Sequence, residues 1–174
     1  MNDQAAKILR EYGIFGWAEI LFSLQDGFHC SRSIDRKAII EFADMFVSGL
    51  GPESPLLSDV IDISLNCPDS RMDLLKIVSR ICANTGNCNI ELARKRWRVA
   101  KLISVLENLE PNSIYSLVEL SEFWECWGWP ADMPSSARME GIDSENYAAP
   151  EHFASVISDH EEWLRAQLLE VGSR

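Results

Sequence analysis

Apolar residues recur every three or four positions along almost the whole chain, and nowhere do they alternate for long enough to mark a strand. That period confines the fold to packed helices, because each apolar stripe must be covered by another helix. Residues 3–12 read as a first helix closed by Gly13, and 15–26 as a second, with Trp17, Ile20, Leu21 and Leu24 on one face and Gly27 past its end. Ser33 caps a predicted helix at 34–48 with a stripe of Ile39, Phe42, Ala43, Phe46 and Val47. After the Gly49-Leu-Gly-Pro break, Ser54-Pro55 signals a helix to about Leu65. Asp69 or Ser70 opens the next, which runs to about Asn84 with Gly86 beyond. Residues 90–109 form a long helix, and 113–127 follows a short turn, its inward face read as Ile114, Leu117, Val118, Ser121 and Trp124. Residues 128–149 form a predicted loop, and Pro150 opens the last helix at 150–171, with Phe153, Val156, Ile157, His160, Leu164, Leu168 and Val171 on its face. The expectation is an all-α fold, a single irregular bundle of about seven helices in one domain over 1–174.

Charge is confined to one part of the chain. Of 27 acidic and 16 basic residues, thirteen of each fall in residues 1–101. The remaining 73 residues therefore hold fourteen acids against three bases and carry the whole net charge of −11. Trp124, Trp127, Trp129 and Trp163 lie in the same stretch. A segment both acidic and aromatic is repelled by nucleic acid and by anionic membranes, and suits a basic protein surface, which charge steers and aromatic rings anchor.

Chemistry is thinly represented. The three histidines, His29, His152 and His160, include no pair at the spacing of a zinc-protease helix, and there is no Cys-x-x-Cys. His160 falls on the apolar stripe of its helix, where a packed, hydrogen-bonded imidazole is expected. No nucleophile elbow, phosphate-binding loop or dinucleotide fingerprint is present. Five irregularly placed cysteines (Cys30, Cys67, Cys82, Cys88 and Cys126) fit reduced thiols in a cytoplasm better than a disulfide framework. No run of about eighteen apolar residues exists to span a membrane, and the N-terminus has no signal-peptide pattern. The expectation is a cytoplasmic protein, not an enzyme, with no cofactor and no metal.

Two charged stripes remain. Arg94, Arg98 and Lys101 share one face of the 90–109 helix, and Glu119, Glu122 and Glu125 step by three along 113–127. Either the two stripes pair inside the fold, or the glutamates face outward toward a basic partner. Asp132, Glu140, Asp143 and Glu145 add acids in the loop. Trp127 and Trp129 are open to both core and contact roles, whereas Trp124 reads as core.

The stretch from Trp17 to Phe28 (Trp-Ala-Glu-Ile-Leu-Phe-Ser-Leu-Gln-Asp-Gly-Phe), then Ile39-Ile-Glu-Phe-Ala, and later Trp97 through Leu106 to Trp129-Pro-Ala-Asp-Met-Pro, resemble a family of small acidic uncharacterised bacterial proteins found near toxin genes. The chain is also similar to immunity proteins of contact-dependent growth inhibition and other polymorphic toxin systems. The resemblance covers residues 14–135 loosely and carries over no functional residue. It implies a cytoplasmic protein that binds one cognate toxin C-terminal domain, frequently a basic nuclease. The resulting expectation is an immunity protein, monomeric when free, binding neither nucleic acid nor membrane. Its expected contact residues are Glu119, Glu122, Glu125, Trp127, Trp129, Asp132, Glu140, Asp143 and Glu145. An adaptor or chaperone-like helical module for another basic protein is the alternative, and an enzyme using His152 or His160 with nearby acids is a third.

Overall fold

In the computed structural model, residues 4–25, 34–138 and 149–172 are described, and every regular element among them is helical. The α-helices are α1 (Gln4–Glu11), α2 (Trp17–Leu24), α3 (Arg36–Val47), α4 (Leu57–Asn66), α5 (Arg71–Thr85), α6 (Ile90–Leu106), α7 (Ile114–Cys126) and α8 (Pro150–Gly172). A 3-10 turn, Ser135–Ala137, follows α7. The described residues gather into two compact units, Met1–Trp97 and Arg98–Arg174, with the division falling inside α6.

Local sequence explains most helix ends. Asp35 caps α3 by accepting from the Lys37 amide at 3.1 Å, so the cap lies two residues beyond the expected Ser33, which is outside the described residues. Ser70 caps α5, and the Asn89 side chain accepts from the Leu92 amide in the first turn of α6. The helix expected from Ser54-Pro55 starts at Leu57 instead, because Ser54 and Pro55 are taken up in a preceding turn closed by Leu57 N–H to Ser54 C=O.

Two helices end on a Schellman motif. At α1, Gly13 N–H bonds Arg10 C=O and Ile14 N–H bonds Leu9 C=O. At α7, Gly128 N–H bonds Glu125 C=O and Trp129 N–H bonds Trp124 C=O. Gly13 and Gly128 take φ of 66° and 74°, the left-handed conformation that a Cβ disfavours.

In the first unit, α3 packs on α4, α2 on α5, and α4 on α5. The predicted one-sided stripe of α2 proves too narrow, since all eight of its residues are buried. Glu19 is therefore only 1% exposed. It survives there because Arg96 pairs with its carboxylate at 3.0 Å, while the Trp97 indole N–H donates to its backbone carbonyl at 2.8 Å. Burial raises the Glu19 pKa, against the opposing pull of Arg96.

One expectation is corrected here. Cys82 and Cys88 are joined in a disulfide, not held as separate thiols. The left-handed turn at Gly86 reverses the chain after α5 and returns Cys88 over its last turn, with the two Cα atoms 5.2 Å apart. Cys67 and Cys126 are free.

The Gly128→Ala substitution meets no neighbouring atom, so its cost is conformational alone. We expect a loss of about 1–2 kcal/mol in stability, read from the denaturant midpoint. An unchanged midpoint would show that the turn does not hold α7 closed.

Candidate partner-binding site

The second unit is organised by aromatic rings. Trp124 is fully buried, 5.0 Å from Phe123 and from Trp163 in edge-to-face pairs. Its indole N–H donates to Nε2 of His160 at 2.8 Å. An indole nitrogen only donates, so Nε2 must be the unprotonated nitrogen. Nδ1 then carries the proton and donates to Val156 C=O at 2.7 Å. His160 is thus a neutral imidazole with both nitrogens engaged and no exposed surface, as expected of a packed histidine. Burial lowers its pKa, outweighing the Val156 bond and the nearby Asp159.

These rings set the rotation of α7. Its buried residues are Ser116, Leu117, Leu120, Phe123 and Trp124, continued by Trp127. The opposite face presents Ile114, Tyr115, Val118, Glu119, Glu122, Glu125 and Cys126, all exposed. The inward face expected from the sequence, with Ile114 and Val118, is therefore corrected by about one residue step, roughly 100°. The observed rotation buries Phe123 and Trp127 in place of Ile114 and Val118. Aromatic side chains bury about 150–250 Å² each, so at about 25 cal/mol per Å² the exchange favours it by a few kcal/mol.

The nominated residues divide accordingly. Glu119, Glu122 and Glu125 project outward and form no ion pair among the described residues. Pairing between the acidic and basic stripes is thus not what the fold uses. Arg98 instead pairs with Asp132 at 2.6 Å and lies over the Trp163 ring at 5.2 Å. Asp132 consequently spends its charge internally, and Trp163 donates its indole N–H to the Asp132 carbonyl at 2.5 Å. Trp127 is 2% exposed and belongs to the core, so it offers no surface anchor. Trp129 is half-buried, in a left-handed conformation with φ of 51° imposed by the turn, and the Arg138 guanidinium sits 5.8 Å from its ring. Glu140, Asp143 and Glu145 lie outside the described residues.

Sequence reasoning missed Tyr115, which is 81% exposed, and misplaced Ile114 and Val118. The available signal was the alternative stripe Leu117, Leu120, Phe123, Trp124 and Trp127, which fits a helical face equally well and holds the larger rings. Among the described residues no group of three His, Cys, Asp or Glu is placed to hold a metal, and no helix is long and apolar enough to cross a membrane.

Comparison with known families adds one result. The family described as uncharacterized proteins conserved in bacteria (DUF2247) matches residues 6–168. The chain belongs to that family. No curated protein and no solved structure matches it. The DUF2247 match runs through all eight described α-helices, α7 included.

The His160 geometry carries a pH consequence. The unfolded chain takes up a proton there near pH 6.5, which the folded chain resists. Just below that pH the unfolded state binds more protons, so stability is full above about 6.5 and falls toward the lowered folded value, by at most about 1.4 kcal/mol per pH unit. Thermal melts between pH 7 and 5.5 should show this slope in the wild type and lose it in His160→Gln. A slope that persists in the variant would assign it to another group.

Proposed function

We propose that this chain is a binding protein whose partner is a basic protein surface, held on the outward face of α7. The observation that supports the reading is the makeup of that face. Glu119, Glu122 and Glu125 carry charge that no neighbouring cation answers among the described residues, beside the exposed Ile114, Tyr115 and Val118. Three like charges stepped by three along one helix cost stability, by a few tenths of a kcal/mol per pair, so the arrangement has no folding benefit to explain it. The apolar end supplies contact area and the acidic end supplies attraction, the division of labour found in steered interfaces. Trp129 is half-exposed just beyond the other, acidic end of α7.

In its specific form the reading makes the protein a cytoplasmic immunity protein. The partner is then a cognate toxin domain, a basic nuclease, with the α7 carboxylates standing where the nuclease holds substrate phosphates. The resemblance of the sequence to immunity proteins, the confined acidity and the scarcity of catalytic motifs support it.

The experiment is a capture from native host lysate with two baits, the wild type and a Glu119→Lys, Glu122→Lys, Glu125→Lys triple variant, washed across a salt series. The expected result is one basic protein retained by the wild type at moderate salt and lost by the variant. With that protein purified, the triple variant should associate at least about threefold more slowly at low ionic strength, and Tyr115→Ala should dissociate faster. Equal association rates would remove α7 from the interface. Several partners released together as salt rises would replace a dedicated inhibitor with an adaptor.

A further inference from the structure

A second candidate site lies in the first unit and does not depend on the α7 reading. A groove of ≈ 680 Å³ opens between the α1–α2 turn and α3. Its size falls within the range of small-molecule sites, about 300–1,000 Å³. Phe15 and Phe42 form its aromatic wall, edge to face at 5.2 Å, and Trp17 backs Phe42 at 5.1 Å. Both phenylalanines are only half-buried, and Met45, which lines the groove with them, is 61% exposed.

The charges around the groove select the kind of ligand. Arg10 is the cation in its lining, and it is already occupied. One terminal nitrogen pairs with Glu41 at 3.2 Å, the other donates to Ala38 C=O at 2.9 Å, and the guanidinium lies 5.3 Å from the Phe15 ring centre. Glu41 is doubly answered, since Lys37 also approaches it at 3.8 Å. Asp44 is different. It accepts a hydrogen bond from the Ser64 hydroxyl but has no cation beside it among the described residues. The groove thus combines aromatic and thioether surface with one uncompensated carboxylate at its edge.

We infer that this groove is a binding site for a small aromatic amine, its ring against Phe15, Phe42 and Met45 and its ammonium on Asp44. An aromatic acid of the same size would set its carboxylate against Asp44. A neutral analogue would gain the ring contacts alone. Sulfur–aromatic contact with Met45 and edge-to-face contact with the two phenylalanines favour a flat ring over an aliphatic body.

Three probes that share a phenyl ring and a two-carbon arm separate these terms: 2-phenylethylamine, 2-phenylethanol and 3-phenylpropionate. Each is titrated into the whole protein carrying ¹³C-methyl methionine, with the Met45 methyl resonance as the reporter. The expected result is binding of the amine about two- to fivefold tighter than the alcohol, the range of an exposed ion pair, with the acid weakest. In Asp44→Asn the amine should fall to the level of the alcohol, although the net charge changes by only one. Equal affinities for the three, tighter binding of the acid, or a Met45 resonance that none of them moves would each overturn the proposal. The probe series in the wild type decides the charge preference even if the variant were to fold poorly.

Discussion

The hydrogen bond from the Trp124 indole to His160 is the constraint on which the second unit turns. An indole can only donate, so the imidazole must present its unprotonated nitrogen to it. That pairing aligns α7 against α8 at one angular setting, with the rings of Phe123 and Trp163 packed edge to face on Trp124. A rotation of α7 by one residue would bury a glutamate and break the bond, which would orphan two buried polar groups at a cost of about 1–3 kcal/mol each. The outward face of α7 follows from this inward one. The acids are displayed because the rings are buried.

Residues 128–138, directly after α7, are held in place without a long helix. The Schellman motif at Gly128 turns the chain off the helix. Asp132 then receives Arg98 on its carboxylate and the Trp163 indole on its carbonyl, and Arg98 covers the Trp163 ring. Three groups on α6, α8 and the intervening segment satisfy one another. An arginine so placed, 8% exposed, is no longer part of a basic surface stripe.

The first unit solves a different problem. Helix α2 is buried throughout, and its one carboxylate would be prohibitive there if Arg96 did not reach it. Trp97, one residue along α6, binds the backbone of the same Glu19. Adjacent residues on a helix diverge by about 100°, so this double attachment fixes where α6 runs past α2 as well as its rotation. The disulfide between Cys82 and Cys88 closes the turn that leads into the same helix.

Helical periodicity, proline and glycine breaks and short polar caps are local properties, and the sequence by itself determined the all-helical class, nearly every helix boundary and the confinement of negative charge to the last 73 residues. The buried histidine was equally legible, because its position on an apolar stripe is a matter of counting. Only the tertiary structure decided which of two neighbouring stripes on α7 turned inward, that Asp132 rather than a glutamate answers Arg98, that Trp127 is core, and that Cys88 reaches Cys82. Each depends on competition between distant groups for the same buried space or the same charge. A helix that is apolar over more than half its circumference, such as α7, has more than one acceptable inward face. The choice then falls to the partner that buries the larger ring and satisfies the hydrogen bond, and that partner lies 36 residues away.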